Sequence, residues 1–384
     1  MLSYPFDKNV PAGGSLQAIR LSKELIKKVP VIAIGSSIIK GKRKAFFEFV
    51  EGIPTYRLCF NANRSRLLRT LDLLFLMIKI RNKFDIIHIH GFDMYPICAF
   101  AKLILRKKCI IKITLNGQDD PVTKLKKPFL FSHLKLKFRA IKLFLFNQID
   151  KVIIISDELY FNSRKVFPKS KLKRIPNGVD IDVFCEADKQ EKINICKKLK
   201  LKMEENIALY VGHFGKRKGI PELVEAWKYV NKAKLILLGF FFMEGFDPFS
   251  FLSFIKEIRK NGNIIIFPYN SKPAEFFQIA DLFVFPSKRE GLPNVILEAM
   301  SCNVPILALN ASWTKGLLDS NNSILIDNLE PRKIAEEVNN FFENHQNHNS
   351  NDIINQNRKR IEKRFNLSNI TENFVFLYNE LFRK

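Results

Sequence analysis

Residues 282–300 read LFVFPSKREGLPNVILEAM. The first four are apolar without alternation, the pattern of a strand buried on both faces. The last eight recur at helical spacing, and Pro293 suits the first helical position, where its missing N–H costs nothing. Glu290 lies on the loop between them, and Glu298 lies a little over one turn into the helix. The amides of Asn294 and Val295 sit at the positive end of the helix dipole. Open α/β sheets bind ligands in the crevice outside such strand ends. Two carboxylates there can grip the hydroxyl-rich ends of one elongated ligand with phosphates between them, the layout of a nucleotide-sugar. Taken alone, the same residues also fit a helix with ordinary first-turn acids.

The same kind of apolar run recurs on both sides: VPVIAIG (29–35), FDIIHIH (84–90), CIIKITL (109–115), KVIIIS (151–156), IALYVG (207–212), AKLILLG (233–239), NIIIFP (263–268) and PILAL (305–309). Helix-like segments between the runs make βαβ units, so the class is α/β with parallel sheets. The turn RIPNGVDIDVF (174–184) and the polar stretch after it break the rhythm. The expected domains are 1–180 and 181–365, followed by an amphipathic helix over 366–384 that carries Phe374, Leu377, Tyr378 and Leu381 on one side. A glycine loop, PAGGS (11–15), should follow a strand, yet only MLSYPF precedes it. That strand is either tiny or cut short, and the second reading is favoured.

A second strand-to-helix junction, LYVGHFGKRKGIPELVEAW (209–227), places Lys216, Arg217 and Lys218 just before a helix start. Cations beside free helix amides suit a phosphate, although the Walker spacing is absent and an exposed turn would look the same. Over all 384 residues, Lys plus Arg is 63 and Asp plus Glu is 38, a net charge of +25. An anionic partner or simply a solvated basic surface follows from that excess. Between Pro121 and Ile149 there are bases at 124, 126, 127, 135, 137, 139 and 142 and no acid, interleaved with phenylalanine and leucine. Residues 124–146 therefore read as an element for an anionic membrane surface, or as a helix whose phenylalanines all face the core. Six scattered cysteines show no metal-binding spacing, as expected of reduced cytoplasmic thiols. The N-terminus lacks a signal pattern, and no apolar run reaches the roughly 18 to 20 residues that cross a bilayer.

PSKREGLPNVILEAMSCNVPILA (286–308) resembles the signature of the retaining GT-B glycosyltransferases of group 1 and family 4, with Glu290 and Glu298 at the family's E-x7-E spacing. FDIIHIHG (84–91), ITLNG (113–117), IISD (154–157), IPNGVD (175–180), YVGHF…KG (210–219) and Gly13-Gly14 follow in the family's order, so the resemblance covers nearly the whole chain. It implies two Rossmann-like domains facing across a cleft, with the last helix crossing back onto the first. It implies that Glu298 binds the donor ribose and that Glu290, with the backbone of Gly291, Leu292 and Pro293, holds the donor sugar. Lys218 would stabilise the departing diphosphate. Asn294 joins the donor site, while Gly13, Gly14, His90 and Asn116 would line the cleft on the acceptor side.

Departures from the pattern are informative. His213 stands where the family has arginine, and an imidazole lacks a guanidinium's bidentate grip; Arg217 is expected to supply that charge. Asn116 replaces a histidine and cannot shuttle a proton. Asn303 replaces a glycine, and Asn310-Ala311-Ser312-Trp313 replaces a Gly-Gly loop, leaving Trp313 either to stack on ligand or to pack. Asp180-Ile181-Asp182 has the form of a metal motif but sits in the interdomain segment, and Asp119-Asp120 reads as a turn. His88 and His90 are expected on opposite faces of their strand, His90 towards the cleft and His88 in the core.

The sequence therefore points to a cytoplasmic hexosyl- or N-acetylhexosaminyl-transferase, peripheral at the inner membrane face and serving cell-envelope polysaccharide synthesis. It would use a nucleoside-diphosphate sugar, a saccharide or lipid-linked acceptor, no metal or other cofactor, and no nucleic acid. The rivals are a nucleotide-sugar epimerase or hydrolase of the same fold, and a non-catalytic binding subunit.

Overall fold

The computed structural model describes residues 1–3, 6, 13–38, 47–60, 66–115, 117, 119–126, 135–241, 247–269, 272–319, 322–344 and 350–383. The chain divides into two compact units, Met1–Gly178 with Leu367–Lys384, and Val179–Asn366. The final helix, Leu367–Phe382, belongs to the first unit.

In the first unit, β1 (Ala33–Ile38), β2 (Phe47–Val50) and β3 (Ile53–Phe60) lie in the order β1-β3-β2. Four parallel strands follow in chain order: β4 (Ile86–His90), β5 (Lys108–Ile113), β6 (Lys151–Ile154) and β7 (Leu172–Arg174). Leu2 bridges the two groups, pairing in parallel with both Ile34 and Ile89. Its N–H donates to His88 O at 2.8 Å, its carbonyl accepts from His90 N at 2.9 Å, and Ile34 N donates to Met1 O at 2.8 Å. Residues 1–3 thus take the strand position ahead of the glycine loop. The β2–β3 hairpin, absent from the sequence reading, turns at Glu51 (φ 52°) and Gly52 (φ 80°), the positive pair of a tight hairpin turn.

Strand alternation sorts this sheet's faces. Ile110 and Ile153 pack with Leu21 and Leu25 of helix Gly13–Leu25 and with Phe374 and Leu377 of the final helix. Cys109 points the other way, its thiol donating to Cys98 O in helix Tyr95–Leu103.

The second unit is one parallel sheet of β8 (Ile207–Phe214), β9 (Lys234–Phe241), β10 (Ile264–Pro268), β11 (Leu282–Phe285), β12 (Ile306–Leu309) and β13 (Ile324–Ile326). Its order is β10-β9-β8-β11-β12-β13. From β8 the chain steps outward to β10, then returns to the other side of β8 with β11. The connections from β8 and β11 therefore run on to opposite sides of the sheet, and it is at such a switch point that open α/β sheets bind ligands, in a crevice at the strands' carboxyl ends. The buried interior of β8 and β11, with Leu209, Tyr210, Phe283 and Phe285 at 0% exposure, makes those ends a rigid base.

Candidate functional site

The loops after β8 and β11 touch. Lys216–Lys218 form one turn of 3-10 helix, and Gly219 enters the next helix, Ile220–Ala226, at φ 73°. A Cβ on Gly219 would lie 2.2 Å from Pro286 O, so both the backbone angle and the closeness of the other loop require glycine. Lys288 N donates to Arg217 O at 3.0 Å, and Arg217 Nη1 donates to Arg289 O at 2.7 Å.

This contact delivers charge to one point. Glu290 Oε1 accepts from Lys218 Nζ at 2.5 Å and from Ser287 Oγ at 2.5 Å, with Arg217 Nη1 at 3.6 Å. Glu290 is 9% exposed and Ser287 is 0% exposed, so the pairs are only partly screened by water. Lys218 also lies over the Phe285 ring, 5.1 Å from its centroid. Trp313 packs rather than facing a ligand: it is 3% exposed, donates from Nε1 to Ser287 O at 2.9 Å, and meets Phe285 edge-on. Of the two fates the sequence left open for Trp313 it takes packing, whereas Ser287 and Phe285 escaped the sequence reading as site residues. The Pro-Ser pair before the loop was the only signal, and Trp313 arrives from a distant loop.

The remaining donor-side positions line the same junction. Pro293 caps the helix rather than opening it (φ −73°, ψ 121°), and the helix runs Asn294–Ser301. Gly291 and Leu292 are buried before it, and Glu298 is 3% exposed within it. His213 is the penultimate residue of β8; its carbonyl accepts from Tyr210 OH at 3.0 Å and its ring lies 6.1 Å from that of Phe240. Arg217, not His213, stands with Lys218 at Glu290. Asn303 takes its glycine-like place at φ 54°. Asp180 accepts from the amides of Asp182 and Val183, which makes the Asp-x-Asp run a turn.

On the first unit, Gly13 and Gly14 open an exposed helix start, and Asn116 lies outside the described residues. His88 and His90 share one face, their rings stacked at 4.8 Å, because residues two apart on a strand point the same way; the expectation of opposite faces was wrong. His88 Nδ1 meets Tyr378 OH of the final helix at 2.7 Å. Lys112 is the register partner of His90 on β5 and is 1% exposed. Its Nζ and both ring nitrogens of His90 have no hydrogen-bond partner among the described residues. Burial lowers Lys112 to about 7 and drives both histidines well below their ordinary value, with the positive charge of Lys112 adding to the effect. Asp119, also buried, accepts from Phe92 N, Asp93 N and Thr114, tying the β4 and β5 loops together. Burial lifts its carboxyl to about 6 although the bonds from Thr114 and Phe92 pull it down.

The family model for Glycosyl transferases group 1 matches residues 191–360, and that for Glycosyltransferase Family 4 matches residues 11–183. A teichuronic acid biosynthesis glycosyltransferase, TuaC of Bacillus subtilis, is 26% identical over 80% of this chain and 76% of its own length. The UDP-Gal:alpha-D-GlcNAc-diphosphoundecaprenol alpha-1,3-galactosyltransferase of Escherichia coli is 26% identical over 72% and 68%. Anabaena Alr3699/HepE, solved in complex with UDP-glucose, superposes with a TM-score of 0.74 at 17% identity, covering 99% of both chains.

Proposed function

The chain belongs to the group 1 and family 4 glycosyltransferases of GT-B fold, and from that premise we propose that it moves a hexosyl or N-acetylhexosaminyl group, with retention, from a nucleoside-diphosphate sugar to a saccharide or lipid-linked saccharide acceptor of the cell envelope. The observation that carries this reading is the convergence of Lys218, Arg217 and Ser287 on Glu290 at the β8/β11 crevice. Two cations held at one carboxylate are placed for a diphosphate that brings its own negative charge. They stabilise the charge that grows on it as it departs, so the diphosphate needs no resident metal. Glu290 holds hydroxyls of the transferred sugar, and Glu298 holds the ribose. The bond from the anomeric carbon to the phosphate oxygen breaks while the acceptor oxygen bonds that carbon on the same face. The acceptor's proton passes to the leaving phosphate oxygen, and no separate base is used.

The relatives' names support an envelope acceptor, and one of them names a diphosphoundecaprenol-linked sugar. Work at the inner face of a membrane fits that acceptor, and no helix among the described residues is long and apolar enough to cross one. Contact through residues 124–146 has a mixed basis. Arg139, Ile141 and Phe144 are exposed, whereas Phe146 is core and Lys124 is buried in an ion pair with Asp93.

Calorimetry with UDP, GDP, ADP and their sugar conjugates, on the wild type and Glu298→Ala, tests the donor site; the named relative and neighbour make uridine the first choice. Selective binding of one nucleotide, weakened in the variant, upholds it. No binding to any of them by the folded chain sinks it and promotes a non-catalytic subunit. Turnover of the donor with no acceptor present would promote the epimerase or hydrolase.

A further inference from the structure

Helix Arg66–Lys79 is apolar on two opposite sides. Leu73, Leu76, Met77 and Ile80 are buried beneath it, while Leu68, Leu71, Phe75 and Ile78 are 40–71% exposed on the other side. The exposed set recurs at i, i+3, i+7 and i+10, one stripe about 15 Å long at 1.5 Å per residue. A helix on a globular surface ordinarily carries polar residues there. Here Lys79 borders the stripe, and Asp72 is the helix's one acid.

This stripe has company. Helix Arg66–Lys79 is the crossover from β3 to β4, and helices Tyr95–Leu103 and Lys135–Asn147 lie on the next two crossovers in the same direction. Right-handed connections put all three on one side of the sheet, opposite the final helix. Ile141 and Phe144, 51% and 55% exposed, look outward from that same layer.

Charge selects what covers it. Residues 1–178 and 367–384 carry 37 Lys and Arg against 14 Asp and Glu, whereas residues 179–366 carry 26 against 24. Nearly all of the +25 therefore sits on the unit that bears the apolar layer. A second copy of the chain would bring like charge against like charge, whereas an anionic lipid surface offers opposite charge and an apolar interior together.

We propose that the outer layer of the first unit, led by Leu68, Leu71, Phe75 and Ile78, seats on an anionic bilayer, with those side chains entering the boundary between headgroups and acyl chains. This deepens the membrane contact proposed above and rests on it, moving the main insertion element from residues 124–146 to helix Arg66–Lys79.

The full chain is to be sedimented with vesicles of phosphatidylcholine alone and of phosphatidylcholine mixed with phosphatidylglycerol. Leu71→Glu/Phe75→Glu is compared with Ile141→Glu/Phe144→Glu and with Phe249→Glu, which alters an equally exposed phenylalanine of the second unit. Binding should need the anionic lipid and fall about tenfold or more in Leu71→Glu/Phe75→Glu. It should fall less in Ile141→Glu/Phe144→Glu and hold in Phe249→Glu. Equal binding by wild type and Leu71→Glu/Phe75→Glu, or no binding by wild type, overturns the proposal. So does a wild-type dimer in light scattering that this variant dissolves. Nucleotide affinity measured on the same samples keeps the two readings apart, since Leu71→Glu/Phe75→Glu and Ile141→Glu/Phe144→Glu leave the donor unit untouched.

Discussion

Two lysines on parallel sheets meet opposite fates in this chain. Lys218 stands in a loop beyond β8, 2.5 Å from a carboxylate and beside an arginine. Lys112 stands inside β5, stacked in register with a histidine and paired with no acid among the described residues. The first is given a partner at the crevice, the carboxylate of Glu290. The second is driven towards neutrality because burial removes water and returns no hydrogen bond, only the Phe374 ring 5.9 Å away. A cation past the strand end is available to a ligand, and one within the strand is a cost carried by the fold.

Removing the exposed cation breaks the comparison on its functional side. Lys218→Ala is expected to lower kcat by about 10²–10³, the range for a lost transition-state donor, with the fold intact by circular dichroism; steady-state release of the nucleotide measures it. On the other side, Lys112→Met should stabilise the first unit. The folded pKa of about 7 lies below the unfolded 10.5, so the wild type has its full stability above about pH 10.5 and loses it as pH falls towards 7. Linkage puts the loss at roughly 3–5 kcal/mol. Thermal melts should show the variant ahead at pH 7 and the gap closing near pH 10.

Glu298→Ala should weaken donor nucleotide binding by about tenfold, since a buried carboxylate's hydrogen bonds to hydroxyls are worth roughly 1.5–3 kcal/mol; calorimetry reads it. Trp313→Phe sharpens the picture with the smallest effect. Loss of the Nε1 bond to Ser287 O, worth about 1 kcal/mol, should let the Glu290 loop drift and raise the donor KM more than it lowers kcat.

The strands were legible because parallel strands buried on both faces are apolar throughout. β8, β9, β11 and β12 accordingly lie where LYVG, LILL, LFVF and ILAL announced them. Of those that escaped, β2, β7 and β13 are three or four residues long, too short for a pattern, and the eight-residue β3 is broken up by Pro54, Thr55 and Arg57. The hairpin turn at Glu51-Gly52 was a signal passed over because a wound sheet was expected to continue. His88 and His90 were misplaced by a slip over strand period, and Lys112 passed unnoticed as one polar letter in CIIKIT.

By itself the sequence determined the α/β class, the glycosyltransferase family and the letters of the donor loop, because these are written in local order: apolar runs, glycines at turns, and two acids eight apart. Only tertiary structure decided that Lys218, Arg217 and Ser287 meet at one oxygen of Glu290, that Trp313 braces them, and that Lys112 lies buried beside His90. Those facts depend on which strands become neighbours when the sheet order reverses, and spacing along a chain does not encode adjacency across a sheet.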